Sequence, residues 1–281
     1  MKYRIGGLIK VTVVLTVALG MVGQAHASLI AHWDFEAGFT DIVGGFGGAA
    51  QGDTVLVAGG QVGASSAFFD GAGDYVSTNF TPLYSQTDSF TWAAWIRPQN
   101  LFNPGTSNPV TEVAGVEQTA SGEARIGIYH PSNQQITVGK AFGGVRDDSG
   151  NQGGVFGQTV IYDGDWHHVV LIRDSDNNLI SLYVDGVLDL PGGTPATDIT
   201  TTDINANSMH DLFIGGSNHN GVVGEPFQGL IDDFRIYDMA LTPEQVGELF
   251  ANEVPEPATW AILVGALSLL RLIYRRRGVR A

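Results

Sequence analysis

Short apolar runs recur along this chain, punctuated by Gly, Asp and Asn. The main ones are LIAHWDF, SAFFDG, DYVST, SFTWAAWIRP, ARIGIYH, QITVGKA, WHHVVLIRD, LISLYVDGVLD, DLFIGG and GLIDDFRIYDM. Several alternate with period two, the repeat of a half-buried strand. In SFTWAAWIRP, Phe90, Trp92, Ala94 and Ile96 share one face. In LISLYVDG, Ile180, Leu182 and Val184 share one face, with Ser181 and Tyr183 on the other. Asp185-Gly186 follows between apolar strand ends, which suits a type I′ hairpin turn. One stretch reads as a short helix. Thr242 is its N-cap, Pro243 its first residue, and Gln245 completes a capping box. Val246, Leu249 and Phe250 give it an apolar stripe. Asn100 to Ser121, rich in Pro, Gly, Asn and Thr, reads as a loop. Many short strands without strand–helix alternation predict an all-β fold of two packed antiparallel sheets.

The two ends read differently. A basic start with Lys2, Arg4 and Lys10 precedes the apolar run VTVVLTVALGMVG and then Ala25-His26-Ala27. This is the three-part plan of a secretory signal peptide over residues 1–27, with cleavage by signal peptidase after Ala27. At the other end, Ala258 to Tyr274 is apolar apart from Ser268 and Arg271. As a helix it would rise about 26 Å, the short limit for crossing a bilayer core. Arg275, Arg276 and Arg277 follow and would stay in the cytoplasm by the positive-inside rule.

Charge sharpens the division. The chain has 281 residues, no cysteine and a net charge of −15. Residues 28–253 hold 28 acidic residues against six basic ones. Such a body repels nucleic acid and anionic membranes. It also offers carboxylate oxygens to hard cations. Disulfides and thiol chemistry are excluded. The expected organisation is a signal peptide (1–27), one body domain (28–252) and a tail (253–281).

Val254-Pro255-Glu256-Pro257, the apolar span and the terminal arginines together resemble the PEP-CTERM sorting signal of Gram-negative bacteria. That resemblance implies that an exosortase-type membrane peptidase recognises Pro255, Glu256 and Pro257 and removes the tail. It implies transient anchoring in the inner membrane, then the envelope, outer surface or extracellular matrix. The body segments, in order, resemble the laminin G-like branch of the concanavalin A-like lectin/glucanase superfamily. LIAHWDFEAG, FFDGAGDYV, SFTWAAWIRP, DGDWHHVVLIRD, ISLYVDGVLD, FIGG and FQGLIDDFRIYDMALTPEQV carry this likeness. It implies a jelly-roll sandwich whose first and last strands lie close together. It also implies carbohydrate binding, adhesion or, in some members, glycoside hydrolysis.

Glycoside hydrolysis needs two carboxyl groups flanking a sugar. Glycosidases resembling this superfamily carry them as E-x-D-x-x-E or E-x-D-x-E on one strand, and this chain has neither. Most of its carboxylates sit beside Gly, Asn or Asp, in turn contexts. No G-x-S-x-G or H-E-x-x-H occurs. His167 and His168 are strand neighbours and face opposite ways, so they read as structural. The expected function is non-catalytic binding of carbohydrate or exopolysaccharide at the cell surface. The alternatives are a glycosidase or lyase with an atypical site, and a matrix protein without a specific ligand.

Many superfamily members hold a structural calcium near the terminal strands. By that resemblance Asp34 and Glu36, with Asp233 among the candidates Asp232 and Asp233, would converge if those strands pair. Asp70 and Asp74 form a second carboxylate group that reads as loop capping. The pentraxin calcium cluster falls at Gly215 to Gly224, where GGSNHNGVVG lacks acidic residues. Tyr84, Phe102, Tyr129, His130, Phe142, Arg146, Asn218, His219 and Asn220 are loop candidates for a sugar surface. Trp33, Trp92, Trp95 and Trp166 read mostly as core.

Overall fold

The computed structural model describes residues 27–99, 110–117, 122–129, 139–207 and 209–253. Residues 1–26 of the expected signal peptide lie outside these. So do Pro255, Glu256, Pro257 and the apolar span 258–274. Among the described residues no helix is long and apolar enough to cross a membrane.

In chain order the strands are β1 (Leu29–Trp33), β2 (Gly48–Gln51), β3 (Val55–Ala58), β4 (Ser65–Asp70), β5 (Tyr75–Thr78) and β6 (Phe90–Pro98). Then come β7 (Val110–Glu117), β8 (Glu123–Tyr129), β9 (Lys140–Arg146), β10 (Gln152–Val160), β11 (His167–Asp174) and β12 (Leu179–Val184). The last are β13 (Val187–Leu188), β14 (Ala196–Thr197), β15 (Phe213–Ile214), β16 (Ser217–His219), β17 (Val222–Gly224) and β18 (Gln228–Tyr237). They build two sheets. The first runs β13-β12-β11-β6-β18-β4-β3, with β1 on β18 and β14 on β12. The second runs β10-β9-β8-β7-β15-β5-β2, with β16 pairing β7 and β17. The expected all-β two-sheet sandwich is therefore present, and β1 pairs antiparallel with β18 as the jelly roll implies.

Alternation does the building. Phe90, Trp92, Ala94 and Ile96 enter the inter-sheet core with Ile180, Leu182 and Val184. Asp185 and Gly186, at φ +51° and +77°, make the two-residue turn that pairs Val184 with Val187. Both need left-handed backbone, which Asp and Gly tolerate. The helix α1 (Pro243–Glu253) starts as its capping box dictates. Thr242 N–H donates to Gln245 Oε1 at 2.8 Å, and Gln245 N–H to Thr242 Oγ1 at 3.3 Å.

A second apolar cluster of Ala93, Val170, Ile172, Tyr183, Leu241 and Val246 lies on the other face of the first sheet. Trp95 belongs to that side, stacked 5.5 Å from Phe250 of α1 and 5.1 Å from His168. The helix thus covers the outer face of the first sheet. The outer face of the second sheet carries no helix among the described residues.

One expectation is corrected. The stretch Asn100–Ser121 is not all loop, because β7 occupies Val110–Glu117 inside it. Val113, Ala114 and Val116 face the core, but Gly115 and a bulge between Glu112 and Ala114 blur the period-two signal.

Candidate functional site

On β8, Ala124, Ile126 and Ile128 point into the core, so Glu123, Arg125, Gly127 and Tyr129 point out. On β9, Ala141 and Val145 point in, so Phe142, Gly144 and Arg146 point out. Register aligns them across strands. Gly127 faces Phe142, Arg125 faces Gly144, and Glu123 faces Arg146. Phe142 then faces Phe156 of β10, Gly144 faces Gly154, and Arg146 faces Gln152.

The face has two halves. One is aromatic: Tyr129 meets Phe156 edge-on at 5.5 Å, and Phe142 stacks with Phe156 at 6.4 Å. Phe156 is 44 % exposed. Gly144 and Gly154 beside it leave a shallow strip without side chains. A Cβ on Gly154 would meet nothing nearer than 3.9 Å. A pocket of about 350 Å³ opens at the edge, between Gly154, Phe156, Leu190, Pro191 and Ala196.

The other half is charged. Arg125 lies 5.4 Å over the Phe142 ring and joins the halves. Its Nη1 contacts Glu112 Oε1 at 3.2 Å and Glu117 Oε2 at 3.3 Å, and its Nε pairs with Glu123. Arg146 holds the second Glu123 oxygen at 2.8 Å. His219 Nε2 sits 2.7 Å from Glu225 Oε2 and 3.2 Å from Glu117 Oε2.

Burial sets the electrostatics. Desolvation pushes the Glu112 carboxyl up to about 8, against the pull of Arg125. Desolvation also raises Glu123, again opposed by Arg125. At Glu117 desolvation is outweighed by His219 and Arg125, and the carboxyl is lowered. Contact with Glu117, then Glu225, raises His219 to about 10. Two carboxyls pushed apart in this way suit acid–base chemistry. Here, however, one guanidinium nitrogen touches both.

Of the sequence candidates, Tyr129, Phe142, Arg146 and His219 come together on this face, on strands rather than loops. Tyr84 is core, accepting from Trp92 Nε1 at 2.9 Å and stacked on Phe90. Asn218 and Asn220 shape the β16–β17 turn, where Asn218 Oδ1 accepts from Gly221 N–H at 2.7 Å. Phe102 and His130 lie outside the described residues. Sequence reasoning missed Phe156, Glu112, Glu117, Glu123, Arg125 and Glu225. For Glu112 and Glu117, strand carboxylates with no turn residue beside them were the available signal.

The calcium candidates do not converge as expected. Strand β1 stops at Trp33, and Phe35 turns the chain at φ +52°. Asp34 Oδ1 accepts from the Glu36 amide at 3.2 Å, and Glu36 Oε1 accepts from Ala64 and Ser65 N–H at 2.8 and 3.1 Å. Asp233 sits in a bulge at φ +54° and pairs with His32 and with Arg235 Nη2 at 2.7 Å. Its neighbour Asp232 turns instead toward Glu36. Asp232 Oδ2 accepts from Gln61 and Val62 N–H at 2.8 and 2.9 Å, while buried Oδ1 has no partner. Side chains at Gly60 and Gly63 would collide with Asp232 and Glu36. That turn is shaped around the two carboxylates. Asp74 caps the other loop, accepting from Asp53 and Asp70 N–H at 2.9 and 2.8 Å.

With fold and site in view, the class is clear: this is a lectin-type β-sandwich. The chain belongs to the Laminin_G_3 family, described as Concanavalin A-like lectin/glucanases superfamily, whose profile matches residues 70–247. No curated protein matches it. Among solved structures it resembles domain 4 of AbnA, a GH43 extracellular arabinanase from Geobacillus stearothermophilus, in complex with arabinotriose. The TM-score is 0.58 at 22% identity, over 79% of this chain and 98% of that one. It also resembles the binding domain of Paraclostridial Mosquitocidal Protein 1, with TM-score 0.60 and 14% identity over 79% of this chain and 51% of that one. The Botulinum Neurotoxin serotype G binding domain gives 0.58 and 15%, over 80% and 51%. The chain spans about half the length of these two toxin domains.

Proposed function

We propose that the protein is a non-catalytic module that binds carbohydrate or exopolysaccharide outside the cell. One observation carries this reading: exposed Phe156, with Tyr129 and Phe142, borders a side-chain-free strip flanked by Arg146 and Gln152. Sugar rings stack on aromatic faces while polar groups at the rim fix their hydroxyls. The neighbour whose structure is in complex with arabinotriose is consistent with it. The test is a glycan and exopolysaccharide panel with wild type and Phe156→Ala. The expected result is retention of some glycan and at least about a tenfold loss in the variant, the scale of losing one good anchor. Equal retention by both would sink it.

A second reading, a glycosidase or lyase, is favoured by Glu112 and Glu117, whose proton affinities diverge. Turnover of any panel member that is abolished by Glu112→Gln would establish it. A matrix role without a ligand predicts no retention at all.

Calcium, in this proposal, is structural and held by Glu36 and Asp232. Export is also part of it, with signal peptidase acting after Ala27. Ser28 N lies 2.8 Å from Asp238 Oδ1, so a new ammonium there would gain an ion pair. An exosortase-type peptidase would act at Pro255-Glu256-Pro257, leaving the body at the envelope or in the matrix. A mature protein starting at Ser28 and ending near Val254, read by mass spectrometry, is the expected outcome.

A further inference from the structure

Strand β10 carries three glycines, and one of them lacks a packing reason. A Cβ on Gly153 would stand 2.6 Å from Ile180, and one on Gly157 2.4 Å from Asp189 Oδ2. Gly154 differs. It is exposed, its φ is not in the left-handed region, and a Cβ there would meet only the Gly143 carbonyl, at 3.9 Å. Of the described strand glycines it has the most room. Glycine inside a strand weakens it. Where neither backbone nor packing demands one, it marks close approach by something else.

The surroundings say what approaches. Gly154 lies midway between Gln152 and exposed Phe156, a gap of about 13 Å along the strand. Toward the sheet edge it opens on the cavity of about 350 Å³, walled by Leu190, Pro191, Thr194 and Pro195. No charged side chain lines that cavity among the described residues. The cations of the face are engaged elsewhere. Arg125 is shared by Glu112, Glu117 and Glu123, while Arg146 holds Glu123 and, at 3.2 Å, Gln152. Lys140 lies beyond Phe142 on β9. A uronate or sulfate would have to take a guanidinium from Glu123, which is 0 % exposed. It would do so in a body of 28 acidic and six basic residues, which repels anions. An ammonium would lose water against Leu190 and the prolines without gaining a carboxylate there.

We propose that this gap selects an uncharged glycan, with Gly154 as its specificity-determining residue. The inference rests on the binding function proposed above. One sugar ring lies over Gly154 with its apolar face toward the Phe156 ring, and the adjoining part of the glycan enters the cavity beside Leu190. A side chain at position 154 would occupy the place of that ring.

The test uses the full chain in detergent against defined probes. Neutral xylo-, arabino- and gluco-oligosaccharides are set beside oligogalacturonate, alginate and chitosan oligomers. A neutral probe should bind tightest, with affinity unchanged between about 0.05 and 0.5 M salt, since only charge attraction is screened. Gly154→Val suits a strand and should keep or raise the melting temperature, yet weaken that probe by at least about tenfold. Gly154→Ala should weaken it by less. A charged probe bound as tightly as any neutral one overturns this inference and leaves the binding function standing. So does a neutral probe held equally by wild type and both variants. A Gly154→Val chain that fails to fold also overturns it, because the glycine would then have a packing reason. Binding of no probe fails the binding function itself, and this inference with it.

Discussion

Glu112 and Glu117 stand five positions apart on one strand, yet both reach Nη1 of Arg125, at 3.2 and 3.3 Å. Strict alternation sends residues at odd separation to opposite faces. The bulge between Glu112 and Ala114 inserts the residue that turns both outward. A backbone irregularity thus creates the charged half of the candidate site, and Arg125 compensates it.

Replacing Arg125 by Met should destabilise the protein by about 3 kcal/mol, as when one partner of a buried ion pair is removed. Glu112 and Glu123 would keep their burial and lose their main counter-charge. Chemical denaturation reads the change. Adding Glu123→Gln to the variant should recover part of it, since the two are coupled. A midpoint that stays put would mean solvent already neutralises these acids.

His168 supplies a pH dependence. Burial first, then the charge of Arg235, lowers its imidazole from 6.5 to about 4, while Asp233 and Asp185 oppose this. The unfolded chain therefore binds the proton at higher pH than the folded one. The stability His168 contributes is full above about pH 6.5 and is lost as pH falls toward 4. His168→Phe keeps a ring against Trp95 and Phe250, and should flatten the melting temperature between pH 4 and 6.5. An equal slope in the variant would assign that titration elsewhere.

What the sequence revealed and what it hid have the same physical origin. Asp185-Gly186 and the Thr242–Gln245 box were legible because neighbours in the chain satisfy each other there. The core face of β6 was legible because period two runs through it unbroken. Strand β7 was hidden, since Ala114 and Gly115 give little apolar signal and the bulge shifts its phase. Asp233 was misread for a related reason. Its bulge on β18 separates it from Asp232, so counting alternate positions no longer tells which carboxylate faces Glu36. The aromatic half of the site needed the register of three strands, which no local pattern contains.

Calcium should raise the melting temperature of chelator-treated protein, because a ligand that binds only the folded state stabilises it by mass action. Asp232→Asn should abolish that rise. It preserves shape while removing an acidic carboxyl that burial, opposed by the Val62 amide, raises to about 7. Asp53→Asn, at the other acidic loop, should leave the rise intact. A calcium response that survives Asp232→Asn moves the cation away from the β3–β4 turn.

Arg173 gives the strongest single test of the sandwich edge. It is 1 % exposed, and every one of its N–H groups is used. Its Nε donates to Asp198 Oδ2 at 2.7 Å. Its Nη1 donates to the carbonyls of Ser85 and Asp88 at 3.0 and 2.7 Å. Its Nη2 donates to Gln86 O and Thr200 Oγ1 at 2.7 and 2.9 Å. One side chain therefore ties the loop before β6 to the segment after β14. Arg173→Met would strand the Asp198 carboxylate, itself 7 % exposed, together with the loop carbonyls. The expected loss is about 3 to 5 kcal/mol. Arg173→Lys should lose nearly as much, since an ammonium cannot match a planar fork of donors. Hydrogen exchange should show residues 84–89 and 198–202 losing protection first, with β7 and β8 unaffected. Uniform loss across both sheets would contradict so local a role for the guanidinium.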